Sequence, residues 1–236
     1  MRSWLLALMV ALVASPWWGQ GSTCPPSETI SAEPENHAVE VERLVRYHDS
    51  GEYEREIRDV ANSGREFLEL RYPRFVPKEA KVAAVFDIDE TALSNWDAMA
   101  GCGFCAYSTQ LQLYKDNLYS NAHDPAIAPV LELFNFAKGK GISVFFVTGR
   151  SESERDRTVS NLQEAGYSGW AGLYLQPDVP AGQHKLPARI FKPKDREAIE
   201  KLGYTVVLNI GDQASDLAGC CAIRIFKLPN PFYLVP

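Results

Sequence analysis

Five short apolar runs set the limits on how this chain can fold. They cover residues 82–86, 142–147, 172–175, 206–210 and 222–226. None shows the polar–apolar alternation of a strand with one wet face, so each suits a strand buried on both sides of a parallel sheet. Segments of helical period lie between them. Residues 126–138 carry Val130, Leu131, Leu133, Phe134 and Phe136. Residues 152–165 are introduced by the capping-box pattern Ser151-x-x-Glu154 and closed by Gly166. Residues 194–202 are closed by Gly203. Strand–helix alternation of this kind predicts an α/β fold around a parallel sheet.

The chain before the first run divides in three. Arg2, an apolar stretch over residues 5–13, then Ala14, Ser15 and Pro16 read as a secretory signal over residues 1–21, too short to span a bilayer. Val13-Ala14-Ser15 and Gly19-Gln20-Gly21 both fit as cleavage sites. Export to the periplasm or the extracellular space is expected, with no transmembrane helix in the mature protein. A lipid anchor on Cys24 is disfavoured, because Gly21-Ser22-Thr23 lacks the apolar residue usual three positions before such a cysteine. Residues 22–37, with Pro25, Pro26 and Pro34, read as a linker. From residue 38 an N-terminal helical extension follows. Its first segment carries Val39, Leu44, Val45 and Tyr47, and Asp49-Ser50-Gly51 forms a turn. Its second carries Tyr53, Ile57, Val60, Ala61, Phe67 and Leu68, and Pro73 ends it. With 46% hydrophobic residues the 236-residue chain has ample core material, which excludes global disorder. Its 24 basic and 30 acidic side chains give a net charge of -6, which argues against a nucleic-acid polymer as partner.

In an open parallel sheet, ligands bind beyond the carboxyl ends of the strands. The first run ends in Asp87-Ile88-Asp89-Glu90-Thr91. Residues two apart on an extended chain face one side, so Asp87 and Asp89 point toward one site as nucleophile and general acid/base. Two carboxylates so close need a cation or a shared proton. Taken alone, such a pair is more often a solvated acidic turn. The second run ends in Thr148-Gly149-Arg150 before the capped helix. Thr148 offers a hydroxyl, Gly149 permits close backbone approach, and the helix N-terminus favours an anion. Arg150 either touches substrate or braces the loop. Lys192 is a candidate fixed cation. The fourth run ends in Gly211-Asp212-Gln213-Ala214-Ser215-Asp216, hard oxygen ligands suited to Mg²⁺.

The order Asp-x-Asp-x-Thr, Thr-Gly-Arg, Lys, Gly-Asp-x-x-x-Asp resembles the four-motif signature of the haloacid-dehalogenase-like (HAD) phosphohydrolases, over residues 38–236. Phe-Asp-Ile-Asp-Glu-Thr (86–91), Asn-Ile-Gly-Asp-Gln (209–213) and Phe-Lys-Leu-Pro-Asn-Pro-Phe (226–232) are similar to its class B-like acid phosphatase branch, which includes plant vegetative storage proteins and bacterial secreted acid phosphatases. The resemblance implies a Rossmann-like parallel sheet with helices on both faces and a small cap inserted at 92–125. It implies a Mg²⁺-dependent phosphomonoesterase acting on small-molecule phosphomonoesters. Asp87 would form a phosphoaspartate, and Asp89 would act as general acid and then base. Asp87, the Asp89 backbone, Asp212 and Asp216 would hold the metal. Thr148, Gly149 and Lys192 would bind phosphate. The family places Ser after the motif lysine; this chain has Pro193, and Lys194 is a poorer match. A non-catalytic storage protein on the same fold and a phosphotransferase are the competing functions.

The insertion carries Trp96, Met99, Phe104, Tyr107, Leu111, Tyr114 and Tyr119, and Trp96 is a candidate contact to the leaving group. Cys102 and Cys105 read as a local disulfide or two buried thiols, and Cys220 and Cys221 as packed or bridged. Neither pair has a His at metal-ligand spacing, which argues against zinc. His37, His48, His123 and His184 have no catalytic partner in the pattern.

Overall fold

The computed structural model describes residues 36–105, 124–180, 183 and 185–235. The signal segment, Cys24, nearly all of the linker and residues 106–123 of the insertion, with Tyr107, Leu111, Tyr114, Tyr119 and His123, lie outside the described residues, as does His184. Two helices come first, α1 (His37–Asp49) and α2 (Glu52–Arg71). Asn36 caps α1 through its side chain, which accepts from Ala38 N–H at 2.9 Å. Gly51, at φ +76°, makes the turn between the helices.

The sheet comprises β1 (Val82–Phe86), β2 (Ser143–Ser151), β3 (Gly172–Gln176), β4 (Thr205–Gly211) and β5 (Arg224–Lys227). All pairings are parallel, in the order β3-β2-β1-β4-β5. The central strand β1 is buried throughout and divides its residues between two cores. Val82, Ala84 and Phe86 join the larger one, with Ile57 and Leu68 of α2 and with Leu133 and Phe134 of α4 (Ala128–Gly139). Ala83 and Val85 join a smaller one with Phe145, Val147, Val206 and Ile199, the last from α6 (Ala188–Lys201). This division explains the unbroken apolar runs: both faces of the sheet are covered. Between the larger core's helices, a Cβ on Gly64 would sit 3.2 Å from Leu133 Cδ2, so glycine lets α2 and α4 approach closely.

The remaining helices are α3 (Trp96–Gly101), α5 (Arg155–Glu164) and the four-residue α7 (Ala214–Leu217). Among the described residues no helix is long and apolar enough to cross a membrane.

Two elements differ from the sequence expectation. Helix α6 begins at Ala188 rather than Lys194, so Lys192 and Pro193 lie inside it. A proline normally marks the first turn, because it lacks an N–H and clashes with the carbonyl four residues back; here that signal set the start too late. Strand β2 continues through Thr148, Gly149 and Arg150 to Ser151, which pairs with Gln176 after a register shift following Val147. The Ser151–Glu154 capping box therefore opens a 3₁₀ turn, Glu152–Glu154, that leads into α5.

Candidate active site

The order β3-β2-β1-β4-β5 places its switch point between β1 and β4, since the chain leaves β1 toward one edge and returns to the other. Asp87 follows β1 and Asp212 follows β4. A cavity of about 430 Å³ opens at this point. Its walls include Asp87, Asp89, Gly149, Lys192, Asp212 and Asp216. Thr148, fully buried, sits directly behind Gly149, and its Oγ1 accepts the Arg150 N–H at 3.1 Å. A Cβ on Gly149 would meet nothing within 4 Å, so the backbone borders open space there.

Lys192 is the cationic centre. Its ammonium donates to Asp87 Oδ1 and to Asp216 Oδ1, both at 2.6 Å. Burial alone would lower its pKa, but the Asp216 and Asp87 carboxylates outweigh it and raise the pKa, keeping Lys192 charged. Lys194 is exposed on the same helix, so Lys192 is the residue that matches the lysine motif in space. Asp216 turns back to accept Gln213 N–H at 2.8 Å and caps α7. That approach depends on Gly211, where a Cβ would lie 2.6 Å from Asp216 Cβ.

Asp89 belongs to a different set of partners. Arg150 clamps it through Nη2 to Oδ1 at 2.8 Å and through Nε at 3.2 Å to both oxygens, and Asn95 Nδ2 donates to it at 2.9 Å. Arg150 also reaches Asp124 at 3.1 Å. Arg150 thus links Asp89 to Asp124 across the mouth of the insertion.

Asp212 is 2% exposed and takes neutral donors: Asn230 Nδ2 at 2.5 Å, Gln213 Nε2 at 2.7 Å and Thr91 Oγ1 at 3.3 Å. Burial first, then the Asp216 and Glu90 charges, push its pKa up to about 7. Burial and the neighbouring acids likewise raise Asp87, against the pull of Lys192. Oxygens of Asp87, Asp212 and Asp216 lie within 4.8 Å of one another. Ionised together, the three buried carboxylates would carry two more negative charges than the single ammonium of Lys192 offsets. A divalent cation with oxygen preference fits that donor set and that residual charge.

Trp96 takes another place. It stacks on His48 (centroids 3.6 Å apart, planes at 6°) and meets Phe104 and Phe232 edge-on, away from the residues lining the cavity. His48 thereby gains a packing partner. The stems of the insertion are joined: Ser94 N–H donates to Pro125 O, and Ile127 N–H to Ala92 O, both at 2.9 Å. Cys102 and Cys105 form a disulfide at the end of α3. Cys220 and Cys221 are neither packed nor bridged: both are free thiols and Cys220 is exposed, because they occupy the surface turn before β5.

Sequence reasoning missed several residues that complete the site. Glu90, at φ +50°, is buried and accepts from Asn95 N–H at 2.6 Å and from the Tyr233 hydroxyl. Arg196, one turn beyond Lys192, is buried and donates to the carbonyls of Asp216, Ala218 and Cys220. For Asn230 a signal existed, the 226–232 stretch; for Asp124 there was none.

Sheet order, strand-end acids and buried lysine define a HAD-like α/β protein. The chain belongs to the family described as HAD superfamily, subfamily IIIB (acid phosphatase), whose family model matches residues 19–236. Acid phosphatase 1 of Solanum lycopersicum is 30% identical over 94% of this chain and 78% of its own length. Vegetative storage protein 1 of Arabidopsis thaliana is 35% identical over 64% of this chain and 55% of its own. The class C acid phosphatase of Bacillus anthracis shares the fold (TM-score 0.63, 19% identity, 84% of this chain and 86% of that one).

Proposed function

We propose that this chain is an exported, Mg²⁺-dependent acid phosphatase that hydrolyses small-molecule phosphomonoesters through a phosphoaspartate on Asp87. The observation that carries the reading is the convergence of Asp87, Asp212, Asp216 and Lys192 at the switch point, three carboxylates to one ammonium. Asp87, Asp212, Asp216 and the Asp89 backbone carbonyl would hold Mg²⁺, whose positive charge would offset repulsion between a phosphate dianion and the attacking carboxylate.

The chain's own groups do the rest. An Asp87 oxygen attacks phosphorus as the bond to the leaving oxygen breaks. Asp89, positioned by Arg150 and Asn95, gives that oxygen its proton. Asp89 then takes a proton from water as the water oxygen bonds to phosphorus and the Asp87–phosphorus bond breaks. Inorganic phosphate leaves and Asp87 is restored. Lys192, Thr148 and the Gly149 backbone bind the phosphoryl oxygens. Leu186, Pro187, Ala188 and Phe191 give the cavity an apolar wall, suited to an apolar or aromatic leaving group.

A panel of phosphomonoesters assayed with and without EDTA tests the reading. Phosphate release should require the metal, and Asp87→Asn should abolish it. Undiminished release by that variant, or metal-independent activity, rejects the mechanism. An inactive wild type that still binds phosphate would favour a storage role instead.

A further inference from the structure

Helix α6 and the turn before β5 place three potential ligands together on the surface, outside the cavity of the candidate active site. Cys220 Sγ lies 3.7 Å from Glu197 Oε1 and 2.7 Å from Cys221 Sγ. Donor atoms of Glu197, Cys220 and Cys221 all fall within 4.8 Å of one another. The result is a set of two thiols and one carboxylate, with Cys220 open to solvent as a route of entry.

The turn is well anchored. Arg196 Nε donates to Cys220 O at 3.2 Å, and the same guanidinium holds the Asp216 carbonyl at 2.7 Å. Cys221 stands at φ +76°, a conformation that a side chain adopts only where the surroundings hold it. Soft sulfur combined with carboxylate oxygen suits a thiophilic divalent cation, whereas the all-oxygen set at Asp87, Asp212 and Asp216 suits a hard one. Metal-ligand spacing along the chain could not show this, because Glu197 meets the cysteines only through the fold.

We infer that Glu197, Cys220 and Cys221 form a second cation site, for a thiophilic divalent ion of the Zn²⁺ type, separate from the catalytic centre.

The test is a Cd²⁺ titration of the whole protein under anaerobic conditions, with Mg²⁺ in excess to occupy the oxygen site. A saturating sulfur-to-cadmium charge-transfer band is expected, displaced by Zn²⁺ but not by more Mg²⁺. Cys220→Ser and Cys221→Ser should each abolish it, Glu197→Gln should raise the Cd²⁺ requirement about tenfold, and Asp212→Asn should leave it unchanged. A full-strength band in Cys220→Ser, or no band in the unsubstituted protein, overturns the proposal. Alkylation mapped by mass spectrometry gives a readout that needs no variant. Zn²⁺ should protect Cys220 and Cys221 from labelling. Unprotected thiols, or a Cys220–Cys221 peptide two hydrogens light, would sink it.

Discussion

The ends of β1 and β4 each carry two acidic residues, yet the fold treats the two pairs differently. At β1 the pair is split between cations: Asp87 goes to Lys192 and Asp89 to Arg150. At β4 only Asp216 has a cationic partner among the described residues, again Lys192. Asp212 is left with amide and hydroxyl donors. A buried carboxylate costs a great deal unless it is paired, neutralised or bound to metal. On the proposed mechanism, Asp212 is therefore the carboxylate that depends most on a bound cation.

Removing Lys192 should break the arrangement most severely. Lys192→Met leaves Asp87 and Asp216 buried without their cation, and about 3–5 kcal/mol of stability should be lost in the metal-free protein. Urea denaturation measures this. A loss well below 1 kcal/mol would mean that the two acids are protonated or resolvated. Next in size, Asp212→Asn keeps the shape of the site but removes the recruiting charge. Calorimetric Mg²⁺ affinity should fall about 100-fold or more, while metal-free stability at neutral pH should rise, because the buried charge is gone. In the unsubstituted protein the raised Asp212 carboxyl holds a proton below about pH 7. Mg²⁺ must displace that proton, so affinity should decline as pH falls below 7, by up to about tenfold per unit. A pH-independent affinity would remove Asp212 from the metal's ligands.

Smaller again is Arg150→Ala, which frees Asp89 to misalign. Turnover should drop about 10- to 100-fold while KM changes little. The loss should be greatest for substrates whose leaving group most needs a proton. Equal losses for all leaving groups would show that Arg150 acts on something other than Asp89. The smallest effect concerns Asp195 on α6. Burial raises its carboxyl to about 6, with Lys192 and Arg196 opposing, and Oδ2 has no hydrogen-bond partner. Above its ordinary value of 3.8 the unfolded chain loses this proton first, so folded stability declines as pH rises from about 4 to 6. Asp195→Asn should remove that decline and gain about 1 kcal/mol at neutral pH, after allowance for solvent screening. Thermal melts at pH 4.5 and 7.5 distinguish the two proteins.

What was legible in the sequence follows from range. Asp87, Asp89, Thr148, Asp212 and Asp216 lie at or beside strand ends, where local pattern and sheet topology together fix their position, whereas Lys192 lies inside α6 and was legible only through the order of the motifs. Arg150 was legible as a residue but not in its duty, because Asp89 is 61 positions away along the chain. Asp124, Glu90 and Arg196 act through contacts that no local period encodes. Pro193 gave a start signal that α6 does not obey, since packing of Phe191 and Ile199 against the core outweighs one missing hydrogen bond. Trp96 was grouped with the cap aromatics by composition, but the α1 helix supplies His48 as its stacking partner.

The stretch 230–235 lies far along the chain from β1, yet it closes the site. Asn230 donates to Asp212, the Tyr233 hydroxyl to Glu90, and Val235 exchanges hydrogen bonds with Gln213 and Ser215. A nascent chain folds from its N-terminal side as it emerges. The Asp212 carboxylate therefore lacks its Asn230 donor until synthesis has passed that residue, and the β4 strand end takes its final form only once the last few residues of this stretch are made.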